Sequence, residues 1–225
     1  MKGLLLKDFY NTKKSMVLMM IIPFVMAIVA YAGFLDDGTE TEGFRAFLVI
    51  MPAAISAIFS VSLLMNTLVW DENSNYLLYA LTTPIDKKLY LKSKYIYLLM
   101  ATGGYALISV IPMTAVLILT GSFRPELIFL LFGTALIGVI VALLLGTCLM
   151  ALSMKYTAIK ANGYMTMFYG LFAFSGVILN HISEETRTLI KENIGYMAVA
   201  VVVILAVFAV MLFQKSCQWL EQKEF

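Results

Sequence analysis

Long apolar blocks alternate with short polar breaks along the whole chain. Six blocks approach the roughly 20 helical residues that cross a bilayer core of about 30 Å. They lie at 15–34, 46–70, 95–120, 127–152, 164–180 and 196–214. Hydrocarbon offers backbone N–H and C=O groups no partner, so a span must be a helix or part of a closed barrel. Barrel strands alternate apolar and polar positions over about ten residues; these runs are longer and uniformly apolar. The pattern therefore predicts an all-α membrane protein with six transmembrane helices. No internal repeat or low-complexity segment divides the chain, so 1–225 reads as one transmembrane domain.

The polar breaks differ in kind. The leader MKGLLLKDFYNTKK can place Leu5, Leu6, Phe9 and Tyr10 near one face, with Lys2, Lys7, Lys13 and Lys14 toward headgroups. That is the pattern of an interfacial helix over 1–14. The segment 181–195 carries an N-cap candidate in Ser183, then Glu184 and Glu185, and a stop at Gly195. It predicts a short helix at the outer interface. The segment 71–95 is much longer than a connection between neighbouring spans requires. Asp71 and Glu72 close the second span. Tyr76, Leu77, Tyr79, Ala80 and Leu81 supply a half-apolar stretch. Thr83-Pro84, with Asp86 following, has the form of a helix start. Lys87, Lys88, Lys92 and Lys94 crowd the return to the membrane. The spacing predicts a short helix, a turn and a second helix entering the third span, a shaped surface offered to something cytosolic. The plainer reading is an oversized basic loop that only sets orientation.

Composition agrees with the pattern. Of 225 residues, 61% are hydrophobic and 13% charged, against about a quarter charged in a soluble domain; mean hydropathy is +0.90. A net charge of +2 points to no nucleic-acid partner. The placement of charge says more. With the N-terminus in the cytoplasm, 12 of the 16 basic residues fall on the inner side, and the outer side keeps only Arg45, Arg124, Arg187 and Lys191. The positive-inside rule then predicts a multi-pass protein with both termini cytoplasmic. Ala30-Tyr31-Ala32 faintly resembles a signal-peptidase site, but its run is as long as a span and is expected to stay uncleaved. Cys148 and Cys217 form no disulfide framework.

The search for chemistry turns up no catalytic or metal site. The single histidine, His181, is expected at the outer surface, and neither His-Glu-x-x-His nor a Gly-x-Ser-x-Gly elbow is present. No phosphate-binding loop occurs, so no bound cofactor and no ATP hydrolysis by this chain alone are expected. No Asp or Glu falls within the six predicted spans, which weighs against intramembrane proteolysis and proton-coupled transport. Sodium coupling at broken helices stays open. Small or polar stripes recur in the spans. Ala53, Ser56, Ser60 and Thr67 share a face of the second, beside Asn66; Thr134, Gly138, Ala142 and Gly146 recur every four residues in the fourth. The fifth is rich in aromatics, with Tyr164, Phe168, Tyr169, Phe172 and Phe174. Close packing is the default use of such faces. Ser56, Ser60, Thr67, Phe168 and Phe172 are the candidates for lining a pathway.

Two stretches carry a resemblance. MKGLLLKDFYNTKKS and DENSNYLLYALTTPIDKKLYLKSKY resemble the ABC type-2 permease family, in particular its short bacterial members that export peptides such as phenol-soluble modulins. The family's opening Lys-x-Leu-Leu-x-Lys-Asp is matched by Lys2, Leu4, Leu5, Lys7 and Asp8. Its signature after the second span is matched by Asp71, Glu72, Pro84, Lys87, Lys94 and Tyr95. Thr83 stands where leucine is usual, and Lys87 where arginine is. The resemblance implies an elbow helix at 1–14 and a coupling segment at 71–95 that docks on a separate cytosolic ABC ATPase subunit. ATP and Mg would be bound there, not on this chain. It implies contacts through Asp71, Glu72, Leu81, Thr83, Pro84, Lys87 and Lys88, a second permease chain, identical or related, and an amphipathic peptide cargo exported across the bacterial plasma membrane. Two other classes stay open: a membrane scaffold or immunity protein that needs no nucleotide, and an ion-coupled transporter.

Overall fold

The computed structural model describes residues 2–35, 42–76, 79, 87–121, 124–167 and 207–220. They are helical apart from short turns. Four helices are long: α1 (Lys2–Leu35), α2 (Glu42–Asn73), α3 (Lys87–Leu119) and α4 (Pro125–Lys155). Two further helical stretches follow, α5 (158–167) and α6 (207–220). At 1.5 Å per residue each long helix runs about 45–50 Å, more than a hydrocarbon core needs. Among the described residues, Lys2–Gly33, Lys87–Leu119 and Pro125–Lys155 are long and apolar enough to cross a membrane. Pro23, Pro52 and Pro112 sit inside α1, α2 and α3 without ending them, as lipid-embedded helices tolerate when neighbours support the freed carbonyl.

The ends of the helices follow local chemistry. Asn75, with φ 51°, adopts the left-handed conformation just past α2, and its N–H bonds the Glu72 carbonyl at 3.1 Å. Asparagine accepts that conformation more readily than most residues. Gly121, with φ 65°, does the same after α3. Pro125 and Glu126 open α4 and Lys155 lies in its last turn, an arrangement that suits the helix dipole. Thr157 caps α5 by accepting the Lys160 N–H at 3.3 Å.

The chain forms two compact units, Met1–Gly146 and Thr147–Phe225. In the first, α1, α2 and α3 pack pairwise against one another. Pairing of Asp8 with Lys94, Thr12 with Tyr97 and the Met16 carbonyl with Tyr105 runs in the same direction along α1 and α3. The two helices are therefore parallel. α2 brings Val49 to the far end, where Ala27, Ala30, Met113 and Leu117 cluster with Leu131 and Ala135 of α4. It brings Asp71 back to the near end. The three helices thus run up, down and up. In the second unit, the Lys155 ammonium lies 5.2 Å from the Tyr156 ring and 5.4 Å from the Trp219 ring. That contact ties α6 to the end of α4 through cation–π attraction.

The leader departs from expectation. Residues 2–14 do not form a separate helix but are the first turns of an unbroken α1. Nothing between Tyr10 and Met16 breaks a helix, and Asp8 and Thr12 hold this part against α3. Leu4, Asp8 and Thr12, one turn apart, point inward, while Leu6 and Tyr10 are 74% and 79% exposed. The expected outer helix at 181–195 lies outside the described residues. So do most of the spans expected at 164–180 and 196–214.

Candidate functional site

Where the near ends of α1, α2 and α3 meet, four charged side chains are taken out of water together. Lys7 and Asp8 come from α1, Asp71 from the last turn of α2, and Lys94 from the second turn of α3. Asp8 is 1% exposed, Asp71 1% and Lys94 0%. The Lys94 ammonium bridges both acids, 2.8 Å from Asp8 Oδ1 and 2.6 Å from Asp71 Oδ2. Lys7 pairs with Asp71 Oδ1 and lies 3.5 Å from Asp8 Oδ1. Tyr90, also buried, donates its hydroxyl to Asp71 Oδ2 at 2.8 Å. Two cations face two anions, so the cluster is neutral as a whole, the condition under which buried charge is tolerated.

Neighbours extend the knot. The Lys7 ammonium sits 3.5 Å from the centroid of the Tyr76 ring, and 5.6 Å from that of Trp70. Below Lys94, the hydroxyls of Thr12 and Tyr97 share a 2.7 Å hydrogen bond. Phe9 meets the edge of Tyr97, centroids 5.2 Å apart. Deeper still, Tyr105 donates to the Met16 carbonyl at 3.2 Å. The seam between α1 and α3 is thus ionic at its end and hydrogen-bonded for two more turns.

The electrostatics carry tension. Lys7, Asp8 and Tyr90 precede the apolar stretches that begin near Ser15 and Tyr95. Burial raises the Asp8 carboxyl above its ordinary value, with Lys94 and Lys7 pulling it back. Burial and the charge of Lys94 lower the Lys7 ammonium, with Asp71 opposing. Burial, then the adjacent Asp71 carboxylate, pushes the Tyr90 hydroxyl well above its usual range, so it remains a donor. Each charge is held by its partners rather than by water. Among the described residues no nucleophile or base of the cluster faces an open cavity. What the arrangement offers is mechanical: three helix ends fastened to one another on either side of the α2–α3 connection.

The sequence-predicted residues divide sharply. Asp71, expected at the coupling surface, lies buried at the centre of the knot. Glu72 is half-buried beside it, Lys87 is half-buried and Lys88 exposed at the start of α3. Leu81, Thr83 and Pro84 lie outside the described residues, as do Phe168 and Phe172. Ser60 and Thr67 are buried among the helices, and Thr67 donates to the Leu64 carbonyl at 2.8 Å. The side chain of Ser56 is not among those described. Sequence reasoning missed the partnership of Lys7, Asp8 and Lys94 with Asp71, although all four fall within the two stretches that carry the family resemblance.

A family model described as ABC-2 family transporter protein matches residues 3–219. No curated protein and no solved structure matches the chain.

Proposed function

The chain belongs to the ABC-2 transporter family, and from that membership we propose that it is the permease subunit of an ATP-driven exporter. The family is a transmembrane component and not itself an ATPase; it implies a bilayer and an ABC ATPase partner. Beyond this, the proposal is specific. The whole chain is one permease domain of six spans with both termini cytoplasmic. It pairs with a second permease chain and two ATP-binding subunits in a bacterial plasma membrane. The segment 71–95 couples the two machines, with Glu72, Leu81, Thr83, Pro84, Lys87 and Lys88 toward the ATPase. The cargo is an amphipathic peptide, on the strength of the resemblance to peptide-exporting permeases.

One observation carries the reading: the buried ionic knot of Lys7, Asp8, Asp71 and Lys94. The α2–α3 connection is anchored at both ends, by Asp71 on α2 and by Tyr90 and Lys94 on α3. Those anchors are also fastened to α1. A push on the connection is therefore delivered to three helices at once instead of dissipating in a loose loop. An exporter whose energy arrives from a separate subunit needs such a joint.

Co-purification tests it. The tagged chain is expressed with the ATP-binding protein encoded beside it and extracted in mild detergent. A stoichiometric second band with ATPase activity is expected. Replacing residues 80–86 by a Gly/Ser linker leaves Asp71, Tyr90 and Lys94 in place, and is expected to abolish retention while the chain still inserts. A linker variant that keeps its ATPase removes the coupling role from this segment. A chain that never retains an ATPase is a scaffold and not an exporter.

A further inference from the structure

A cleft of about 810 Å³ opens along the first unit where α1 passes from its polar leader into its apolar stretch. Its polar end is formed by Tyr10, Asn11, Lys13 and Lys14. Its floor is Val17, Leu18 and Ile21, and Trp70 of α2 closes one side. The polarity is graded along the helix: two lysines, then one apolar turn after another, with Val17, Leu18 and Ile21 all exposed. Phe24, Val25 and Ile28 continue the exposed apolar stripe beyond the cleft.

The charge at the polar end is unbalanced. Lys7 and Lys94 are neutralised within the knot by Asp8 and Asp71. Lys13 and Lys14 are exposed, and among the described residues they make no ion pair and no acidic residue lines the cleft. The side-chain amide nitrogen of Asn11, buried in the wall, makes no hydrogen bond among the described residues and is a donor available to an acceptor. A ligand that fits carries negative charge and hydrogen-bond acceptors at one end and aliphatic chain at the other. Its head lies at the level where lysines and a tryptophan sit at a membrane interface.

We infer that this cleft binds an anionic phospholipid of the leaflet that holds the N-terminus, its phosphate between Lys13 and Lys14 and its acyl chain along Val17, Leu18 and Ile21. The site rests on the bilayer setting of the family and on the placement of the leader at one membrane face. It does not rest on cargo or on ATP. The charge complementarity selects an anionic over a zwitterionic head. Each lysine near an anionic surface weighs about fivefold, so two together weigh about 30-fold.

Trp70 reports on the cleft directly. The chain has two tryptophans, and Trp219→Phe leaves Trp70 alone while keeping an aromatic ring beside Lys155. The full-length variant is titrated in mixed micelles with phosphatidylglycerol brominated on its acyl chains, and in parallel with brominated phosphatidylcholine. Phosphatidylglycerol is expected to quench Trp70 at roughly ten- to thirtyfold lower mole fraction. Lys13→Gln with Lys14→Gln is expected to remove that preference, Lys13→Arg with Lys14→Arg to keep it, and Lys155→Gln, in the other unit, to leave it untouched. Millimolar inorganic phosphate is expected to leave the quenching unchanged.

Equal quenching by the two lipids overturns the inference, as does a preference that survives the double glutamine variant. Displacement by phosphate overturns it in favour of a free anion. Trp70 shielded from both lipids overturns it in favour of a second copy of the chain. Because the readout needs neither ATPase nor peptide, the lipid site can stand while the exporter reading falls, and the reverse.

Discussion

Asp71 receives three donors at once: Lys7, Lys94 and the Tyr90 hydroxyl. Removing one member of a buried ion pair leaves its partner charged without water, which costs about 3–5 kcal/mol. Asp71→Ala and Lys94→Met are each expected to lower the detergent-solubilised melting temperature sharply and to cut the folded yield. Asp8→Leu combined with Lys94→Met removes one charge of each sign and leaves Lys7 with Asp71. The double variant is expected to lose less than Lys94→Met alone, by thermal unfolding followed on size exclusion. Singles that melt like the unaltered chain would mean that the knot holds nothing. The charges themselves were legible in the sequence, their meeting was not. Lys7 and Asp71 are 64 positions apart, and Asp8 and Lys94 are 86. From sequence alone Lys7 and Lys94 read as orientation charges and as matches to the two family stretches, and Asp71 as a docking contact. The available signal is the balance: two acids and two bases, each within about two turns of one end of an apolar run.

At the scale of the helices, the sequence reads apolar blocks well and their continuation less well. The blocks at 15–34, 46–70 and 127–152 each lie inside one long helix, and 95–120 runs one residue past the end of its helix, because apolar length is a local property. The leader's amphipathic pattern shows which side meets lipid, with Leu6 and Tyr10 exposed, but not that the leader runs unbroken into the first long helix. Lipid accepts Leu6 and Tyr10 outside, and the neutral knot accepts Asp8 and Thr12 inside. Small-residue periodicity reads independently of this, since close approach depends on size rather than polarity. Ala142 and Gly146, at the end of the four-residue stripe, are buried. A Cβ added at Gly146 would collide with the Leu98 side chain. Gly146→Ala is therefore expected to destabilise by about 1–3 kcal/mol, as overpacking does. Leu98→Ala should itself leave a cavity, yet in combination it should relieve the clash. A double-mutant cycle in thermal stability checks this: the two changes together should cost less than their sum. Strict additivity would mean that α3 and α4 do not touch there.

Over the whole molecule, the parallel pairing of α1 with α3 and the return of α2 make the near ends of all three helices one surface. That surface carries Lys13, Lys14 and Lys92 exposed. The far end of α3 leads through Gly121 to Arg124. Charge asymmetry between these ends is what the positive-inside rule acts on. Beyond residue 167 the six-span reading requires two further crossings, the second running into α6. Cysteine accessibility decides this. With Cys148 and Cys217 replaced by serine, single cysteines are placed at Lys92, Arg124 and Lys215, three exposed positions, and probed with a membrane-impermeant maleimide. Arg124→Cys is expected to label in intact cells, and Lys92→Cys only after permeabilisation. Lys215→Cys is the informative member. An even number of crossings puts it with Lys92, where it could share the ATPase side with the α2–α3 connection. Labelling of Lys215→Cys from outside would require an odd number of crossings. It would carry the C-terminal helix away from the energy source and leave the inner joint to Lys7, Asp8, Asp71 and Lys94 alone.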